Sequence, residues 1–173
     1  MRRRDFLDLL ATAPLLPASA QISWSPIVNG LRLGLRVDSH QRPRNLLAFF
    51  ENLGQEPLDL FVARGEVHRI EFTAITFDHR TLKLNDAALY IPCAGLCAMP
   101  VTETLAAGAT RQFTLPADKQ LYVPRQGKYA TLDILLEKCS VQASFEMTAE
   151  QLKEAPLLEN PWLGLLTTPE VHA

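Results

Sequence analysis

Long apolar runs are missing from this 173-residue chain. Nowhere do about 18 apolar residues follow one another, so no membrane-crossing helix is expected. An excess of charge is missing too: 17 basic residues stand against 19 acidic ones, a formal net charge of −2. No global positive field would draw such a chain to nucleic acid or anionic lipid, so neither partner is expected. The motifs of common catalysis are also lacking. There is no Gly-x-Ser-x-Gly, no Gly-rich phosphate loop and no His-Glu-x-x-His. His40, His68, His79 and His172 are scattered, without a His-x-His or His-x3-His pair. Ser39 and His40 adjoin, but neighbours on a strand point to opposite faces. These absences imply no catalytic residue and no cofactor. What is present, 47% hydrophobic and 21% charged residues, is ordinary for a folded domain and excludes wholesale disorder.

Residues 1–20 read as an export signal. Arg2, Arg3 and Arg4 form a charged start, Phe6 to Leu16 is apolar, and Ala18-Ser19-Ala20 offers a small-residue cleavage site before Gln21. Arg3-Arg4-Asp5-Phe6-Leu7 resembles the twin-arginine export motif, although Asp8 stands where that motif favours lysine. Cleavage would leave residues 21–173 as one domain, periplasmic or secreted, with 14 basic and 17 acidic residues. No cysteine follows the cleavage site, so a lipid anchor is not indicated.

The remainder reads as strands punctuated roughly every 8 to 12 residues, the spacing of an all-β sandwich. Leu31, Leu33, Leu35 and Val37 alternate with Arg32, Gly34 and Arg36, which predicts a strand with one wet face. Leu46 to Phe50 is a denser run that ends at the turn signal Asn52-Leu53-Gly54. Leu58, Leu60 and Val62 alternate again, and Ile70 to Phe77 carries apolar weight on both faces. Tyr129 to Leu136 alternates so that Ala130, Leu132, Ile134 and Leu136 face the core of a predicted strand. Thr148, followed by Glu150 and Gln151, opens a short helix by a capping box, stopped by Pro156. Leu163 to Val171 supplies a last strand. The expected fold is an antiparallel sandwich of about seven to nine strands, with one helical insertion before the last.

Four stretches carry a resemblance to immunoglobulin-like sandwich domains of exported bacterial proteins, including the BsuPI proteinase-inhibitor type. They are Asn29 to Leu35 as an opening strand, Leu46 to Pro57 as a strand and hairpin, Pro124 to Tyr129 leading into a penultimate strand, and Trp162 to Pro169 as a closing strand. The resemblance implies the immunoglobulin-like fold. It also names a protease-inhibitor module as one possible role, but architecture of this kind transfers little function.

The cysteines are the sharpest local feature. Cys93 and Cys97 lie four apart around Gly95, and Cys139 stands alone. In an oxidising compartment three thiols favour one disulfide with one thiol left over, and spacing leaves the pairing open. A bridge from Cys139 to either of the others would close about 40 residues and stabilise by about 4 kcal/mol on chain entropy. The alternative is a soft-metal site, for copper or zinc, built from Cys93, Cys97 and Met99 with His68 or His79 nearby. As the ligand-binding loop of a sandwich, Pro92 to Pro100 is the first choice, with Pro92, Ala94, Gly95, Leu96 and Pro100 at the contact. Trp24 and Trp162, at opposite ends of the mature chain, are expected to pack together, and an exposed pair would suggest a saccharide or peptide platform. Arg32 and Arg36 share an outer face, and Glu66, Glu71 and Asp59 are carboxylates that could face one another. The expectation is a soluble, exported binding module for a protein or cell-envelope partner, with the copper or redox protein and the inhibitor as alternatives.

Overall fold

The computed structural model describes residues 21–38, 43–64, 67–86, 100–115, 117–118, 120–123, 128–153 and 158–172; within these, only the backbone is described for 63–64, 67–68, 82–86, 100–101, 120–123 and 128–130. Among the described residues, thirteen strands run in chain order: β1 (Ser23–Trp24), β2 (Leu31–Asp38), β3 (Asn45–Asn52), β4 (Leu58–Arg64), β5 (Val67–His68), β6 (Ile70–Thr76), β7 (Thr81–Asp86), β8 (Pro100–Leu105), β9 (Thr110–Leu115), β10 (Gln120–Val123), β11 (Lys128–Thr131), β12 (Cys139–Met147) and β13 (Gly164–Thr167). Two short helices among the described residues join them, α1 (Leu132–Leu136) and α2 (Ala149–Leu152). Two of these strands, β1 and β5, are two-residue edge pieces, which accounts for part of the excess over the seven to nine expected.

The architecture is an all-β sandwich of antiparallel sheets. A four-stranded sheet runs β1-β2-β3-β9, a six-stranded sheet runs β11-β10-β7-β6-β12-β13, and a three-stranded sheet runs β5-β4-β8. The alternation of β2 settles its orientation. Leu31, Leu33, Leu35 and Val37 are at most 2% exposed and point inward, while Arg32, Gly34 and Arg36 point out. From β3, Leu46, Ala48 and Phe50 enter the same core, and β12 contributes Cys139, Val141, Ala143, Phe145 and Met147. Phe50 meets Phe145 edge-on at 4.8 Å, and Phe145 stacks on Trp162 at 5.7 Å. Such aromatic pairs add about 0.5–1.5 kcal/mol each to the area they bury.

Two local readings are overturned. The chain leaves β11 at Thr131 and turns into α1, so Leu132 to Leu136 is not strand. Leu132, Leu135 and Leu136 are the buried residues, a spacing of three and four that suits a helix face. Ile134, which strand parity had placed in the core, is 48% exposed. Nor is Leu46 to Pro57 a hairpin within one sheet: β3 pairs with β2 and β9, whereas β4 pairs with β5 and β8. The turn at Asn52 is a corner between sheets. The capping box is as expected, with the Thr148 hydroxyl accepting from the Gln151 N–H and the Gln151 side chain accepting from the Thr148 N–H. No helix among the described residues is long and apolar enough to cross a membrane.

Candidate functional site

Three loops meet at one end of the sandwich and enclose a cleft of about 590 Å³, lined by Asn29, Gly30, Gly54, Gln55, Glu56, Leu58, Asn160, Pro161, Trp162 and Leu163. The first loop is a two-residue hairpin turn. Asn29 and Gly30 both adopt positive φ, 48° and 80°, while Val28 and Leu31 exchange backbone hydrogen bonds in both directions. That is the Asn-Gly turn whose twist matches the flanking strands. The Asn29 amide then reaches across the cleft and donates to the Leu163 carbonyl at 2.8 Å.

Asn52 holds the second loop. It is fully buried, and its Nδ2 donates to the carbonyls of Glu56, Leu105 and Ala106 at 2.8, 3.0 and 3.2 Å. Its Oδ1 accepts from the Gly54 N–H at 2.8 Å, its own N–H donates to the Ala109 carbonyl, and its carbonyl accepts from the Gly108 N–H. One amide therefore ties together the two corners, β3 to β4 and β8 to β9, where the chain passes between the four-stranded and three-stranded sheets. Only a group with donors and an acceptor on one short stem satisfies both corners.

Asp59 holds the third. Its Oδ1 accepts from the Thr104 hydroxyl at 2.6 Å, and its Oδ2 accepts from the backbone N–H groups of Glu159 and Asn160, both at 2.9 Å. The main chains join as well, the Asp59 N–H donating to the Asn160 carbonyl and the Trp162 N–H to the Asp59 carbonyl. Burial pushes the Asp59 carboxyl up, but the hydrogen bonds from Asn160, Thr104 and Glu159 outweigh it and hold its pKa below 3.8. Trp162, 1% exposed, forms the wall behind, its indole N–H donating to the Val28 carbonyl at 2.8 Å. A side chain at Gly164, which has φ of 155°, would come within 2.8 Å of that indole and 2.9 Å of Val28.

The rim is apolar. Ile27, Leu53, Leu163 and Leu165 are 58, 44, 36 and 56% exposed. They belong together because Leu53 donates its N–H to Gly30 and Val28 abuts Gly164, between Leu163 and Leu165. Leu163 lines the cleft and Leu53 adjoins the lining residue Gly54, and exposed apolar side chains gathered near one cleft suit an interaction surface.

Pro92, Cys93, Ala94, Gly95, Leu96, Cys97 and Met99 fall outside the described residues, as do His40 and Glu66. Pro100 opens β8 opposite Arg64, whereas the cleft adjoins Leu58 at the other end of β4, about 20 Å along the strand. Cys139 is a free thiol, buried in the core, and burial pushes its pKa up; the bridge from it to Cys93 or Cys97 is not formed. The described residues contain no group of three His, Cys, Asp or Glu side chains able to hold a metal. His79 occupies the exposed β6–β7 turn with φ of 59°. The two tryptophans do not form the expected pair. Trp24 lies on the outer face of the four-stranded sheet, 6.3 Å from Phe49 and beneath Arg32, while Trp162 is in the core. Of the cleft, the sequence showed the turn at Asn52 and the opening Asn29-Gly30. It gave no sign that Asn52 and Asp59 are the pins.

Comparison with protein-family models, curated proteins and solved structures gave no match for this chain.

Proposed function

We propose that this protein is an exported, immunoglobulin-type binding module without catalysis of its own, and that its ligand sits in the cleft between the Asn29, Gly54 and Asn160 loops. The observation that carries the reading is the way the cleft is held. Its three loops come from distant parts of the chain, yet hydrogen bonds fix them to each other: Asp59, just after the Gly54 loop, accepts from Glu159 and Asn160, Leu53 donates to Gly30, and Asn29 donates to Leu163, while Asn52 braces the Gly54 loop through Gly54 and Glu56. Binding then costs little loop ordering, and a preformed cleft retains more of its contact energy as affinity. The exposed polar lining residues Asn29, Gln55, Glu56 and Asn160 supply orientation, and Leu58, Trp162 and Leu163 supply apolar area.

Amide-shift mapping of the purified mature chain against peptide and saccharide libraries tests this. Ligands should move the amides of Asn29, Gly54 and Leu163. Turnover of a substrate, or ligands that bind only at the β8 end, would replace the reading. Stoichiometric Cu(I) uptake abolished by Cys97→Ser would replace it with the metal-binding alternative. Intact mass of protein exported from a bacterial host reports the other half of the proposal, through loss of residues 1–20.

A further inference from the structure

The side chains that line the cleft have spent most of their donors on the protein itself. Asn29 gives an amide N–H to the Leu163 carbonyl at 2.8 Å, and Asn160 gives one to the Pro57 carbonyl at 2.6 Å. The Trp162 indole gives its single N–H to the Val28 carbonyl. A carbonyl can only accept, so these bonds fix which end of each asparagine amide is nitrogen and which is oxygen. Neither Oδ1 accepts a hydrogen bond from another described residue, and neither does the Glu56 carboxylate, which can only accept. Against these oxygens stand the second N–H of each asparagine and the Gln55 amide. The side-chain lining is therefore richer in acceptors than in donors.

Its charge is of one sign. No lysine, arginine or histidine lines the cleft. Glu56 is exposed, as is Glu159, which precedes the lining residue Asn160, and neither forms an ion pair among the described residues. Asp59 adds a buried charge directly behind the lining. It follows Leu58 in the chain and bonds Asn160, and its carboxylate is held by one hydroxyl and two backbone N–H groups, all of them neutral. Those bonds keep it ionised near neutral pH, and it too lacks an ion pair among the described residues. A buried charge without a counter-ion is screened little, so its field extends into the adjoining cleft.

A divalent metal ion would call for several carboxylates, and Glu56 alone lines the cleft. A neutral saccharide would leave the charge uncompensated. The remaining lining, Leu58, Pro161 and Leu163, is apolar and suits a carbon stem.

Resting on the reading of this cleft as a binding site, we infer that its ligand carries a primary ammonium or guanidinium group on a short carbon stem. The cationic head meets the Glu56 carboxylate and the side-chain oxygens of Asn29 and Asn160, and the stem lies against Leu58, Pro161 and Leu163. Ammonium and guanidinium heads are donors only, the complement of this acceptor set. Lysine and arginine side chains of a peptide carry such a head, and so does a free diamine.

The probes are capped tripeptides with lysine, arginine, norleucine or glutamate between two glycines, together with cadaverine as the free diamine. Each is titrated into the purified protein and followed through backbone and side-chain amide shifts. The cationic probes should move Asn29, Glu56 and Asn160, with the norleucine and glutamate peptides at least about tenfold weaker. Binding by the peptides alone assigns the cation to a peptide, and binding by cadaverine alone assigns it to a free amine. Glu56→Gln should weaken the cation about tenfold with the melting temperature unchanged, because that side chain is exposed. Glu170→Gln serves as the control, at an exposed carboxylate beside Ser140 near the start of β12, whose other end adjoins Gly164. It should leave binding within about twofold. The inference is overturned if the norleucine peptide binds as tightly as the lysine one, or if Glu56→Gln leaves binding intact. An equal loss in Glu170→Gln would overturn it as diffuse attraction, and so would shifts produced by calcium chloride where the organic cations produce none. A neutral or anionic ligand that moves the cleft amides where cations fail would overturn the cation and leave the binding module standing. If none of these probes and neither library moves the cleft, both readings go.

Discussion

The cleft end and the outer face of the four-stranded sheet both join distant segments through polar side chains, but in different solvent. At the cleft, Asn52 and Asp59 are buried, with 0 and 8% exposure, and each oxygen or nitrogen has a backbone or hydroxyl partner. On the outer face, Arg32 lies 4.2 Å over the Trp24 ring and meets Glu51 at 2.5 Å, while Arg36 lies 5.5 Å over Phe49. Those charged groups keep part of their water, the Arg32 and Glu51 side chains being 29 and 21% exposed. The lesson is that similar contact distances carry different energies, because removing a buried partner strands the others without solvent, and removing an exposed one does not.

Substitutions can strain that contrast, and the largest effect is expected at Asn52. Asn52→Ala leaves three carbonyls and the Gly54 N–H without their partner at two sheet corners, a loss on the order of 3 kcal/mol. Urea unfolding would measure it, and a loss below about 1 kcal/mol would show that water replaces the amide and that the corners are not pinned.

Asp59→Asn comes next, at about 1–3 kcal/mol near neutral pH. Here the sign of the pH dependence is informative. The Asp59 pKa is held below 3.8, so its contribution is fully present above the ordinary carboxylate range and is lost as pH falls through the folded value. The gap in stability between wild type and Asp59→Asn should therefore narrow as pH drops from about 6 to about 3. A gap that stayed constant would show that the carboxylate charge plays no part.

On the outer face Trp24 covers Gly34, whose missing side chain would sit 2.7 Å from that ring and 2.6 Å from Ile22. Gly34→Ala should lift the indole, red-shift its fluorescence, and cost about 1–2 kcal/mol through overpacking. Smallest of all, Arg32→Ala should cost less than about 1 kcal/mol and less still in high salt. A larger loss would place this face on the same footing as the cleft end and remove the distinction.

Much of the scaffold was legible because it rests on period. Alternation in β2 and β3 follows from strand geometry alone, and the capping box at Thr148 is complete within four residues. The helix at Leu132 was missed because its apolar residues fit period 2 and period 3.6 together over so short a stretch. Burial of Leu135 and exposure of Ile134 decided between them. The cleft was less legible. Its turn residues were visible, but Asn52 bonds to a loop 53 residues away and Asp59 to one 100 residues away. Neither spacing leaves a local trace, so the Pro92 to Pro100 loop, with its cysteines and prolines, looked the more distinctive site.

The sequence by itself determined that the chain is β, which faces of its principal strands are apolar, and where several turns fall, since backbone stereochemistry and hydrophobic alternation act over a few residues. Tertiary structure decided that the Asn52 turn is a corner between sheets, that Trp162 is core and Trp24 surface, and that three distant loops close around one cleft. Those outcomes depend on which buried polar groups find partners, a matter settled only when segments far apart in the chain meet and exclude water.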